Sequence, residues 1–301
     1  MTAGARAKTE PASIDREAIG AESTGRAFAR VGLLGNPSDA YRGKAIAASV
    51  FELEARVCVA DSDDAATRVD DARAAPLVLA ALGRFARATG IAVDRRPLRI
   101  RLATAIPFQV GLAGSSAIAI ATLRALERHF GASLSPFALS ELALAVEVDD
   151  LGVAAGPMDR AIQAYEGALR MDFSSERTEA AYGRIDAASL PPCVVAWDVR
   201  GGAPSGGVHA GVRDRWRRGD ARVVATMAAL AALVDEGLDA LDAGDAARFR
   251  SLVDANFALR ASLFPISPRD RALVEVGRRE GAATKLCGSG GAVVAFPAAD
   301  T

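Results

Sequence analysis

Residues 107–117, Pro-Phe-Gln-Val-Gly-Leu-Ala-Gly-Ser-Ser-Ala, constrain this chain more than any other stretch. A strand-like run at 98–105 feeds a Gly-rich turn, and the turn passes directly into an Ala-rich segment that reads as a helix over 115–130. That order gathers several unpaired backbone N–H groups and two hydroxyls at one helix start. Such an end carries about half a positive elementary charge and binds phosphate groups. The fold must therefore end a strand at a helix N-terminus that is free to face an anion.

Two familiar nucleotide patterns are absent. Gly43-Lys44 lacks the upstream glycine and the following hydroxyl of G-x-x-x-x-G-K-[ST], and no G-x-G-x-x-G occurs. Gly111, Leu112, Ala113, Gly114, Ser115, Ser116 and Ala117 form the candidate loop in their place. Gly111 and Gly114 let the backbone approach a phosphate closely. Ser115 and Ser116 offer hard oxygens to a phosphate or to Mg²⁺. Taken alone, the segment also reads as an ordinary Gly-rich turn with a serine cap.

Two carboxylates follow. Glu147 lies near the end of a helix expected to start at Pro136, with Ser135 as its cap, and to run to about 149. Asp159 lies just inside the next helix start, across a Gly/Pro turn, so both acids can converge on one cleft. Each alone is also a routine helix-end feature. Arg30 and Asp39 flank the first strand and turn, and Lys285-Leu-Cys-Gly-Ser-Gly-Gly291 reads by itself as a tight hairpin.

Composition removes several classes of function. Lys and Arg number 36 against 37 Asp and Glu, so no basic excess points to nucleic acid. The longest apolar run, 223–234, is too short to span a bilayer, and no membrane partner is expected. Cys58, Cys193 and Cys287 are far apart and odd in number, which predicts free, mostly buried thiols in a reducing compartment. Residues 1–27 carry no secretory pattern and read as a disordered tail, and the expected location is cytoplasmic. Oligomeric state is not legible.

The pattern predicts an α+β chain of two domains. One covers 28–180 and the other 181–301, with a weakly structured connection over 177–190. In the first domain, strands are expected over 29–34, as a pair within 45–60, and over 169–173. Helices are expected over 74–89 and 158–165. In the second, strands at 193–197, 283–287 and 292–296 enclose helices at 208–218, 221–241, 246–263 and 268–280.

Taken together, these segments resemble the GHMP kinases. Arg30-Val-Gly-Leu-Leu-Gly-Asn-Pro-Ser-Asp39 resembles that family's first motif, residues 107–117 its phosphate loop, Gly156-Pro-Met-Asp159 the segment with its catalytic aspartate, and residues 285–291 its third, Gly-rich motif. The resemblance runs from about residue 30 to 296. It implies an N-terminal ribosomal-S5-domain-2-like domain and a ferredoxin-like C-terminal domain with extra helices, lacking its last helix and strand. ATP and a small-molecule sugar would meet in the cleft between them.

Carried over residue by residue, the resemblance puts Mg²⁺ on Ser115 and Glu147. It puts the phosphates on Gly111, Gly114 and Ser116 within the 111–117 loop, and the sugar hydroxyl opposite Asp159 with Arg30 beside it. Asp39 would bind sugar hydroxyls, and Gly288, Gly290 and Gly291 would line the substrate and phosphate side. Further motifs within the family point to transfer onto the anomeric hydroxyl of a hexuronate, D-glucuronate giving glucuronate 1-phosphate. A substrate carboxylate favours an arginine partner. Among Arg42, Lys44, Arg160, His209 and Arg213, the expectation falls on Arg160 or Arg213. Other sugars (galactose or a heptose phosphate), and a non-catalytic sensor on the same fold, remain the alternatives.

Overall fold

The computed structural model describes residues 22–200 and 205–298, with backbone alone for 205–210. Strand β1 (Ser23–Leu34) lies antiparallel along the long strand β2 (Lys44–Asp61). The pair of strands expected over 45–60 is thus one strand of 18 residues. It stays continuous because its two halves have different partners. Its first half pairs with β5 (Ala168–Asp172) and its second half with β4 (Leu98–Thr104). Short β3 (Arg68–Val69) and β6 (Tyr182–Ile185) complete a six-stranded sheet.

Two boundaries differ from expectation. Residues 23–27, expected in the tail, are already strand, because they pair with 55–59 of β2. The expected loose connection at 177–190 contains β6, which pairs with β5 and so carries the first sheet past residue 180. The second sheet is antiparallel in the order β7 (Val194–Trp197), β9 (Ala292–Phe296), β8 (Ala283–Leu286).

Helix α1 (Ala75–Thr89) has proline in its first turn and Gly90 in left-handed conformation at its end. It buries Leu77, Val78, Ala81, Leu82 and Phe85, which share one face at helical spacing. Helix α2 (Gly114–Phe130) packs on β1 and β2, with Ala121 and Ala125 against Gly25 of β1. Helix α3 (Pro136–Ala145) is capped by Ser135, which accepts from the Ala138 N–H at 3.1 Å. Its last turn widens into a π-helical stretch, Val146–Asp150, a form frequent at functional sites. Helix α4 (Met158–Tyr165) follows a short loop.

The C-terminal part supplies α5 (Ser205–Arg217), α6 (Ala221–Asp242), α7 (Ala246–Leu263) and α8 (Pro268–Arg279). One apolar core runs from β1, β2, α1 and α2 into α6, α7, β8 and β9, so the two expected domains share buried contacts. Among the described residues no helix is long and apolar enough to cross a membrane. Cys287 is buried and Cys58 partly so, but Cys193 is exposed at the start of β7, against the expectation of mostly buried thiols.

Candidate active site

The phosphate loop, β1, α4 and the 288–289 turn enclose a cavity of about 500 Å³. Its wall contains Arg30, Asp39, Gly111, Leu112, Ala113, Gly114, Ser115, Glu147, Asp159, Arg160, Arg213 and Gly288. The residues that the sequence spreads over most of the chain therefore meet in one place.

The loop is shaped for an anion. Ala113, at the N-cap of α2, adopts left-handed φ (64°) and has no side-chain oxygen to cap the helix. The first N–H groups of α2 are left for another partner. The Ala113 carbonyl is held by the Gln163 amide at 2.9 Å, which also donates to the Phe28 carbonyl at 3.0 Å. Gly111 has φ of +73°, and a Cβ there would lie 2.5 Å from the Gly290 carbonyl oxygen. A Cβ on Gly288 would in turn lie 2.5 Å from the Gly111 oxygen. The two Gly-rich motifs therefore stand backbone against backbone.

Several expected members sit differently. Ser116 and Ala117 are fully buried behind the loop. The Ser116 hydroxyl turns inward and donates to the Ala113 carbonyl at 3.1 Å, and the residue does not line the cavity. Gly288 lines the cavity, but Gly290 and Gly291 do not. They pack against Val110, Gly111 and Asp270, and the Gly291 N–H donates to the Asp270 carboxylate at 2.6 Å. These two glycines shape the back of the phosphate loop and do not line the substrate side.

Arg30 gathers the centre. Its Nε and Nη2 donate to the two Asp159 oxygens at 2.6 and 2.9 Å. Its Nη1 donates to the carbonyls of Gly111 at 2.7 Å and Cys287 at 3.3 Å. Burial works against its charge, but the Asp159 carboxylate outweighs burial and holds the guanidinium above its ordinary value. One side chain thus ties the aspartate, the phosphate loop and the third motif together.

Glu147, 1% exposed, comes from the π-helical turn. Its Oε1 accepts from the Ser115 hydroxyl at 2.8 Å. Its Oε2 accepts from Arg160 Nε at 2.5 Å and from Arg160 Nη2. Arg160 was expected as a partner for a substrate carboxylate. It is buried, and its guanidinium is instead engaged by Glu147 and by the Gly156 carbonyl at 2.8 Å.

At the other end, Asp39 is 8% exposed, and the Met158 N–H lies 3.4 Å from its Oδ2. A Cβ on Gly156 would sit 2.3 Å from that oxygen, so glycine is needed for the approach. Burial first, and then the nearby Asp159 charge, push the Asp39 carboxyl up to about 6. Arg213 on α5 lines this end and has no hydrogen bond or ion pair among the described residues. It stands close enough to Tyr41 to oppose the rise that burial causes in that phenol. The Tyr41 hydroxyl is buried and has no hydrogen-bond partner among the described residues. Lys44 is occupied by Asp235 at 2.8 Å, and the His209 side chain lies outside the described residues.

Polar residues with no expected role brace the site. Lys285, fully buried, donates to the Gly32 carbonyl at 2.7 Å and to Asn36 Oδ1 at 2.5 Å, and burial pulls its ammonium down to about 7. Asn256 accepts from the Gly35 N–H at 2.7 Å and donates to the Asn36 carbonyl at 3.1 Å. Arg260 holds the Ser289 carbonyl at 2.8 Å. The available signal was helical spacing for Gln163, four residues after Asp159 on α4.

Residues 76–167 match the family model described as the GHMP kinases N terminal domain. Over 306 aligned residues the chain is 33% identical to probable glucuronokinase 2 of Arabidopsis thaliana, covering 90% of this chain and 83% of that protein. This chain belongs to the GHMP kinases. The fold of this GHMP kinase agrees with solved structures at lower identity. Lactococcus lactis galactokinase complexed with galactose superposes with a TM-score of 0.79 at 15% identity, over 93% of this chain and 86% of that one. Streptococcus pneumoniae phosphomevalonate kinase, in complex with phosphomevalonate and AMPPNP, gives 0.73 at 16% identity, over 91% and 92%.

Proposed function

We propose that this GHMP kinase is a cytoplasmic sugar 1-kinase that transfers the γ-phosphoryl group of ATP to the anomeric hydroxyl of a hexuronate. D-glucuronate is the substrate proposed first, with glucuronate 1-phosphate as product. The observation that carries the reading is the placement of Asp159. Two nitrogens of Arg30 hold its carboxylate, and the third reaches the Gly111 carbonyl of the phosphate loop. An acceptor oxygen facing Asp159 would thereby also face a phosphate seated on α2.

Phosphoryl transfer asks for alignment and charge compensation more than for covalent help. The anomeric oxygen forms a bond to the γ-phosphorus, the bond from that phosphorus to the ADP oxygen breaks, and the anomeric proton passes to Asp159. Arg30 stays protonated and offsets negative charge on the acceptor oxygen. The N–H groups at the start of α2, with Gly111 and Gly114, would cradle the phosphates. Ser115 and Glu147 present two hard oxygens side by side. That set suits Mg²⁺, which is held through one or two protein oxygens plus substrate phosphates. When bound there, the ion would supply charge compensation at the phosphates.

Support for a uronate comes from the curated relative and from the acceptor end itself. Arg213, without a partner among the described residues, offers the planar donor pair that a carboxylate favours. Tyr41 stands beside it with an unsatisfied hydroxyl, and Asp39 would accept from sugar hydroxyls. The test is ADP release measured over a panel of uronates, neutral hexoses and heptose phosphates. The reading expects release to depend on added sugar and to be fastest with D-glucuronate. Equal efficiency on glucose or galactose would refute the carboxylate reading, and release indifferent to sugar would refute the kinase reading.

A further inference from the structure

The four charged side chains at the cavity floor alternate in sign and form a closed path. It starts at Ser115, passes to Glu147, then Arg160, then Asp159, then Arg30, and returns to the same loop at Gly111. Arg160 is the middle link. Both nitrogens that it directs at Glu147 fall on Oε2, and its Nη1 stands 3.7 Å from the Asp159 carboxylate. The Glu147 carboxylate is thereby divided into one oxygen that is held and one that faces Ser115.

The path has a consequence for charge. Two carboxylates meet two guanidiniums, so this part of the floor is neutral without a ligand. Arg160 and Glu147 are 4% and 1% exposed, and water screens a buried pair far less than a surface pair. A divalent cation coming alone to the Ser115–Glu147 pair therefore meets an arginine at Glu147's back. A cation coming with a polyphosphate brings its own compensating charge.

We propose that Arg160 is a positioning residue that neutralises and orients Glu147, so that the divalent cation is taken up as its nucleotide complex and not by itself. This rests on the reading of Ser115 and Glu147 as the cation pair. Arg160 touches neither nucleotide nor sugar in this account and acts only through the two carboxylates.

The experiment is Mn²⁺ binding followed by electron paramagnetic resonance, with and without ADP, alongside steady-state kinetics. Wild type is expected to take up Mn²⁺ with ADP and to show no saturable uptake without it. Arg160→Gln removes the charge, so saturable nucleotide-free Mn²⁺ binding should appear, about 10-fold or more tighter than the weakest binding the measurement can detect. Its kcat should fall about 10²-fold, because Glu147 loses its orientation, while KM for the sugar changes little. Arg160→Lys keeps the charge but not the two-nitrogen hold on Oε2. It should leave nucleotide-free binding as in wild type and lower kcat by less. Should the glutamine variant fail to fold by circular dichroism, the wild-type and lysine results still decide.

Saturable Mn²⁺ binding to nucleotide-free wild type would overturn the proposal. So would unchanged metal binding in a folded Arg160→Gln, or wild-type kcat in Arg160→Lys. Glu147→Gln separates the two levels. If it leaves Mn²⁺–ADP binding intact, the cation pair itself is misassigned, and the role of Arg160 goes with it.

Discussion

The two ends of the cavity are made of different material. At the end proposed for the nucleotide the chain presents backbone: the uncapped first turn of α2, Gly111 in positive φ, and Gly290 packed against it. At the acceptor end it presents charged side chains, Asp39, Asp159, Arg30 and Arg213. Where backbone approach is itself the fit, almost any side chain is an intrusion. Where side chains make the contacts, one residue can be exchanged without redrawing the chain path. On the function proposed above, the first end would hold the nucleotide and the second would choose the acceptor.

The contrast can be tested from its strongest point downward. Asp159→Asn keeps the shape and removes the base, so kcat should fall roughly 10²–10⁴-fold with little change in thermal unfolding. Near-wild-type turnover would take Asp159 out of its role. Arg213→Met should lower kcat/KM for D-glucuronate about 10²-fold while neutral hexoses are affected little, since a site built to bind a charged group loses mainly that group's contribution. An equal loss on all sugars would make Arg213 a structural residue.

Gly111→Ala should act at the other end. The new Cβ meets the Gly290 oxygen and the φ disfavours a side chain, so KM for ATP should rise about 10-fold and the unfolding midpoint should drop. A rise in the sugar KM alone would blur the distinction between the ends.

Asp39 gives the smallest effect and the clearest sign. Its carboxyl is raised from 3.8 to about 6, first by burial and then by Asp159. The folded state thus prefers the protonated form, and ionising Asp39 costs stability above about pH 6 that is not lost below about pH 4. Asp39→Asn should therefore be more stable than wild type at pH 7 to 8, by on the order of 2 kcal/mol, with the difference closing toward pH 4. In wild type, kcat/KM for the sugar should decline as pH falls through about 6, because protonated Asp39 has lost acceptor capacity. A flat profile there would exclude Asp39 from sugar contact.

The same contrast explains what was legible beforehand. A backbone-built end leaves its mark in local order, strand, then glycines, then helix, and that order points to the loop at 111–117. Side-chain partners are set by the tertiary fold. Arg160 follows Asp159 directly, and nothing in its spacing told that it turns to Glu147 rather than to a substrate. Ser116 was read as a second phosphate hydroxyl because sequence shows the hydroxyl but not the rotamer that turns it to Ala113. The long β2 was read as two strands, since its halves change partners without any break in the chain. The bridging roles of Lys285, seen only as the start of the third motif, and of Asn256 are not legible, because buried polar bridges between distant segments have no period.

Phosphorus NMR of a reaction with ATP and D-glucuronate tests the central claim most directly, run with wild type beside Asp159→Asn. The account predicts ADP together with a new phosphomonoester coupled to the anomeric proton in the wild-type sample, and almost none with the variant. A phosphate on any other hydroxyl, or the same product formed at full rate by Asp159→Asn, would contradict it.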